Sequence, residues 1–130
     1  MLNLPSSVRV FAARDRVDFR NGFDGLCGIV REHFREDPLS GHLFLFFNRR
    51  RDRIKILVWD QNGFWLLYKR LERGTFERIA GSGEKLEIDR ARLAMLLDGI
   101  ETKSSKIRTH FVREVRIASR DHDERARTSP

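Results

Sequence analysis

The sequence predicts an α+β fold: a small antiparallel β meander packed against an N-terminal amphipathic helix, with a second short helix towards the C-terminus. Three observations carry this. Phe19, Phe23, Leu26, Val30 and Phe34 recur at helical spacing and form one apolar stripe. Leu43 to Phe47, Ile54 to Trp59 and Phe64 to Leu71 are rich in β-branched and aromatic residues, with a hairpin signal, Asn62-Gly63, between the last two. Leu93, Leu96 and Leu97 follow Asp89 at the spacing of a buried helical face.

Taken in order, Val8-Arg9-Val10-Phe11 alternates apolar and polar residues and reads as a short strand. Asp18 is placed to cap the first helix. Within that helix Gly22, Gly25 and Gly28 each cost about 1 kcal/mol relative to Ala. Their spacing points to a face pressed closely on a sheet or partner backbone, the alternative being that the first turn is loop. Asp37-Pro38-Leu39-Ser40-Gly41 is a turn cluster. Three antiparallel strands follow, the first two joined by Asn48-Arg49-Arg50-Arg51-Asp52-Arg53. Leu86-Glu87-Ile88 reads as a further strand, Asp89 as an N-cap, and Gly99 as the stop of the last helix. The predicted order is β-α-β-β-β, a short excursion, then β-α.

Residues 1–101 are read as one globular unit and 102–130 as a basic, partly disordered extension, because the latter has few sizeable apolar groups. Within it, Ile107 to Ile117 fits either a strand or a short helix. The 130 residues carry 26 Lys+Arg against 19 Asp+Glu, a net charge of +7, which points towards nucleic acid or acidic partners. The most apolar stretch, Leu43 to Phe47, is far too short for a bilayer span, and the N-terminus lacks the pattern of a secretory signal. A cytoplasmic protein without membrane partners is expected. Cys27 is the single cysteine and reads as a small core residue.

The sharpest chemical feature is the arginine-laden hairpin tip. Between Arg49 and Arg78 there are nine basic residues and four acidic ones. Pairing across the Asn62-Gly63 turn is expected to bring Arg53 and Lys55 beside Lys69 and Arg70, so that Arg49, Arg50, Arg51, Arg53, Lys55, Lys69, Arg70 and Arg73 make one patch, with Arg20 near the first helix as a further contact. Forked guanidinium donors suit phosphate oxygens, and a two-stranded ribbon fits a major groove. The competing reading is a solvated loop whose arginines pair with Asp52, Glu72 and nearby carbonyls. Phe64, Trp65 and Tyr68 are either core or stacking platforms for unpaired bases. The histidines His33, His42, His110 and His122 lack the spacing of a zinc site, and nothing in the spacing of Asp18, Asp24, Asp60, Asp89 and Asp98 distinguishes a two-metal centre from caps and turns. No catalytic residue, metal or cofactor is assigned.

Five blocks in order then carry a resemblance: Asp18-Phe19-Arg20-Asn21-Gly22-Phe23-Asp24-Gly25-Leu26, Asp37-Pro38-Leu39-Ser40-Gly41-His42-Leu43-Phe44, Arg53 to Phe64, Tyr68 to Phe76, and Leu93 to Ile100. Together, over about residues 3 to 101, they resemble the short accessory protein, the second open reading frame often called TnpB, of the insertion-sequence-66 family of bacterial transposable elements. The resemblance implies a helper in transposition, encoded beside a separate transposase that carries the acidic catalytic residues. It does not extend to the RNA-guided nuclease that shares the short name. The expected function is a non-catalytic accessory factor that binds DNA, at element ends or target, through the basic hairpin. The alternative is a protein-interaction module that docks on the transposase or a sister subunit without touching DNA, with a homo-oligomer as a further expectation.

Overall fold

The structure is a computed structural model that describes residues 4–98. The readings of Gly99, of Ile107 to Ile117 and of the 102–130 extension lie outside the described residues. The element order is β1 (Val10–Ala13), α1 (Phe23–Ile29), β2 (Leu43–Phe47), β3 (Arg53–Asp60), β4 (Gly63–Arg70), β5 (Lys85–Ile88) and α2 (Arg90–Asp98), the order the sequence predicts. The expected meander β2-β3-β4 is present, and β1 and β5 extend it into one five-stranded sheet, β4-β3-β2-β1-β5. One pairing breaks the antiparallel pattern: β1 lies parallel to β2, with the chain returning through α1. Parallel neighbours need a crossover of a dozen or so residues, and the helix supplies it.

Central position explains the composition of β1 and β2. Every residue of both strands is buried, so each reads as an unbroken apolar run rather than an alternation. The pleat sends Val10, Ala12, Leu43, Leu45, Phe47, Ile54 and Ile56 to one face, where Leu93, Leu96 and Leu97 of α2 cover them. Phe11, Phe44, Phe46 and Leu57 go to the other face, under Leu26, Cys27, Val30 and Phe34 of α1 and its continuation. The helices therefore flank the sheet on opposite sides. Cys27 is core, as expected, and burial pushes its thiol pKa up. Asp89 caps α2 as expected, its carboxylate accepting from the Arg92 amide at 2.7 Å.

Three local expectations change. The first helix begins at Phe23, not behind Asp18, because the Asp18 carboxylate accepts the Arg20 amide two residues on and so caps a turn instead. Phe19 accordingly lies in that turn against Tyr68, and Phe23 is exposed. The three glycines do not mark a close approach to the sheet. A Cβ at Gly22 or Gly28 would meet nothing within 4 Å, and the nearest atoms to one at Gly25 belong to the Asn21 side chain, not to the sheet. The β3-β4 hairpin forms, but its turn residues are Gln61 and Asn62. Asp60 pairs with Gly63, which already belongs to the strand, and Gln61 takes the positive φ of 54°. The end of the first helix widens over Val30–Phe34 into π geometry and closes on Arg35 in the left-handed region.

Candidate nucleic-acid interface

The β2-β3 turn is built on Asn48. Its amide oxygen accepts from the Arg53 N–H at 3.0 Å and its amide nitrogen donates to the Asp52 carboxylate at 2.6 Å. That bond, first among several causes, holds the Asp52 carboxyl below its usual pKa. Arg51 adopts a φ of 56°, unusual for a side chain with a Cβ, and turns inward. Its guanidinium donates to the carbonyls of Phe76 (3.3 Å) and Glu77 (2.8 Å) and lies 4.1 Å from the Phe47 ring centroid. In return its own carbonyl accepts the Phe76 amide at 2.7 Å. Burial, with the charge of Arg78 adding to it, lowers the Arg51 pKa to about 10, still far enough above neutrality to keep a cation. Arg51 is therefore a rivet between the turn and the segment around Phe76, not a surface phosphate contact.

Other members of the expected patch are also committed to the fold. Lys55 is buried, and its ammonium donates to the Phe19 and Asn21 carbonyls at 2.8 and 2.9 Å, between the Phe19 and Tyr68 rings. Burial pushes its pKa down, against the pull of Asp18. Lys69 donates to the Leu97 carbonyl at 2.8 Å and so closes the C-terminal end of α2, where a cation is favoured. The β3-β4 register does place Arg53 opposite Arg70 and Ile54 opposite Lys69. The pleat, however, sends Lys69 to the α2 side and Arg53, Lys55 and Arg70 to the α1 side, so the four do not form one patch. Arg53 donates to the Tyr68 hydroxyl, Arg70 pairs with Glu72 at 2.9 Å, and Arg20 pairs with Asp18 at 2.6 Å on an open surface. Arg73 is exposed in the loop after β4.

The arginines gather somewhere else. Because β1 and β2 run parallel, their C-terminal ends emerge side by side, and the Val17 amide donates to the Phe47 carbonyl at 2.9 Å to hold the two exits together. Arg14 and Arg16 leave one strand there and Arg49 leaves the other. The riveted Phe76 segment brings Arg78 to the same place. Arg14, Arg16, Arg49, Arg51 and Arg78 thus line a cleft of about 340 Å³ in which Asp15 is the one carboxylate. Arg14 and Asp15 meet only at 3.4 Å and are both well exposed, a pairing of little energetic weight. No hydrogen bond or ion pair to another described residue engages the side chains of Arg16, Arg49, Arg50 or Arg78. Guanidinium groups lining one cleft repel one another until an anion arrives, so the cleft favours phosphate.

Of the residues singled out from the sequence, Arg49 stays available at the cleft and Arg50 is exposed next to it in the turn, whereas Arg51, Lys55 and Lys69 serve the fold. Sequence reasoning missed Arg14, Arg16 and Arg78. The signal that finds them is parallel pairing of β1 with β2, since ligands favour the carboxyl ends of parallel strands. Carboxylates are used locally: Asp18 in its turn, Asp60 accepting from the Trp65 indole, Asp89 as cap. Among the described residues, no three His, Cys, Asp or Glu side chains gather as a metal ion requires.

A family model described as IS66 Orf2 like protein matches residues 8–107. Two relatives from Sinorhizobium fredii (strain NBRC 101917 / NGR234) align over 101 residues each. The uncharacterized protein y4hO is 38% identical, covering 78% of this chain and 88% of its own. The uncharacterized protein y4jC is 31% identical, covering 78% and 86%. No solved structure matches the chain.

Proposed function

The chain belongs to the IS66 Orf2-like family, whose role is that of an accessory to transposition, and from that premise we propose that it acts without chemistry of its own by holding DNA in the arginine-lined cleft. The observation that carries the reading is the convergence of Arg14, Arg16, Arg49 and Arg78, from three separate segments, around the riveted Arg51 on one cavity with a single carboxylate. Membership in the family supports the companion statements: the DNA is an end or target of the element, and the transposase of the same element is the partner that performs strand chemistry. Phosphate contacts position such a protein and release counterions, so binding is strongly salt-dependent.

A salt series on duplex DNA tests this. If Arg14, Arg16, Arg49, Arg50 and Arg78 each neutralise one phosphate, log affinity falls against log salt with a slope of about −4 to −5. Replacing Arg16, Arg49 and Arg50 together by Ala flattens the slope by about 3, while circular dichroism stays unchanged because none of the three is engaged by the fold. An unaltered slope in that variant removes the cleft from the interface. Single-stranded and duplex probes run in parallel separate phosphate-led binding from base stacking on Trp65.

A further inference from the structure

We propose that the free edge of β4 seats a second copy of this chain, the two β4 strands pairing antiparallel about a two-fold axis at Leu66 to make one ten-stranded sheet. The inference stands apart from the DNA reading. It starts from the contrast between the two sheet edges. β5 is four residues long and carries Lys85 and Glu87, the latter paired with Arg9 at 2.7 Å. A short charged edge is how proteins prevent strand addition. β4 is eight residues long, pairs only with β3 among the described residues, and runs Phe64-Trp65-Leu66-Leu67-Tyr68 with no charge and no proline. Trp65 is 59% exposed on it. Such an edge pairs with another strand unless it is covered.

The charges at its ends select a second copy in antiparallel sense. Asp60 stands at the turn end, beside Gly63, and Lys69 and Arg70 stand at the other, where Glu72 offsets only the charge of Arg70. Antiparallel self-pairing sets each cationic end against the acidic turn of its partner, whereas parallel self-pairing would set like against like. A two-fold axis perpendicular to the sheet keeps each residue on its own face, which requires odd positions to meet odd and even to meet even. Centred on Leu66, this places Phe64 opposite the partner's Tyr68 and Trp65 opposite the partner's Leu67, all apolar or aromatic pairs of the kind that stabilise sheets. Lys69 falls opposite the partner's Gly63, where no side chain bars its ammonium from the partner's Asp60. Its ammonium has protons to spare beyond the one given to Leu97. The interface is isologous, so the assembly closes at two copies.

The test is sedimentation equilibrium of the full chain over a concentration series, with hydrogen exchange of residues 63–70. The expected result is a concentration-dependent mass of two chains, with β4 amides exchanging more slowly as the dimer fills. Trp65→Lys puts a charge into the middle of the edge at a position open in the single chain, and weakens dimerisation at least tenfold with its circular dichroism unchanged. Asp60→Lys, which faces the partner's Lys69 with like charge, weakens it as well and decides the matter if the first variant folds poorly. A chain that is monomeric at every concentration overturns the proposal, even if its β4 amides are protected, since another segment then covers the edge. A dimer untouched by both substitutions overturns it too.

Discussion

At the scale of single residues, Asp18 shows how one carboxylate can organise a loop in water. It accepts the Arg20 amide at 2.9 Å and the Arg20 guanidinium at 2.6 Å, while the Asn21 amide group donates to its carbonyl. The guanidinium hydrogen bond is the main reason its pKa falls from 3.8 to about 2, with the backbone bond next. The sign follows from linkage: a carboxyl titrating lower in the folded chain than in the unfolded one adds stability above about pH 4, and that contribution is lost as pH falls towards 2. Arg20→Ala is therefore expected to return the Asp18 titration towards 3.8, read by NMR of its side-chain carboxyl. A midpoint that stays near 2 in the variant would assign the shift to the backbone amide instead. The same pair removes Arg20 from the free cations, so Arg20→Ala leaves the salt dependence of DNA binding unchanged.

At the scale of elements, the arginines of the β2-β3 turn divide by task, and stability separates them. Arg51→Ala removes two charge-assisted bonds to carbonyls and the contact with the Phe47 ring, and it leaves the Arg51 carbonyl as the turn's remaining hydrogen bond to Phe76. Partly offset by releasing a buried charge, this is expected to destabilise the fold by about 2–4 kcal/mol. Arg49→Ala and Arg50→Ala are each expected to stay within about 0.5 kcal/mol. Urea unfolding of the three single variants measures the split, and equal midpoints would refute it. This division also shows what the sequence makes legible. Four near-adjacent arginines announce a basic turn, but which one points inward is set by Phe76, a side chain that docks from 25 residues away and gives no local sign. Lys55 misleads in a similar manner. Flanked by Ile54 and Ile56, it reads as the wet side of a half-buried strand, yet the loop ahead of α1 closes over it with two carbonyls. The strands themselves, the Asp89 cap and the leucine face of α2 follow from local pattern and are recovered. The parallel alignment of β1 with β2 is not, because pairing partners are a long-range property, and without it Arg14, Arg16 and Arg78 have no reason to be grouped.

At the scale of the whole molecule, the cleft and the β4 edge have a joint consequence. The cleft opens where β1 and β2 end, at the same end of the sheet as the C-terminus of β4, because β2 and β4 both run antiparallel to β3. A two-fold axis perpendicular to the sheet reverses strand direction. The second copy's cleft therefore opens at the opposite end of the joined sheet, and no straight duplex reaches both. Two copies hold two separate DNA segments, so the dimer is expected to bridge duplexes while the monomer binds only one. A duplex tethered to beads should capture a second, labelled duplex in the presence of the wild-type chain at concentrations where it is dimeric. Trp65→Lys should keep the affinity and salt slope for a single duplex but lose the capture, whereas the Arg16, Arg49 and Arg50 triple Ala variant should lose both. Capture by the Trp65→Lys variant as efficient as by the wild type would mean that one copy carries two DNA surfaces, and would break the link between edge pairing and bridging while leaving the cleft intact.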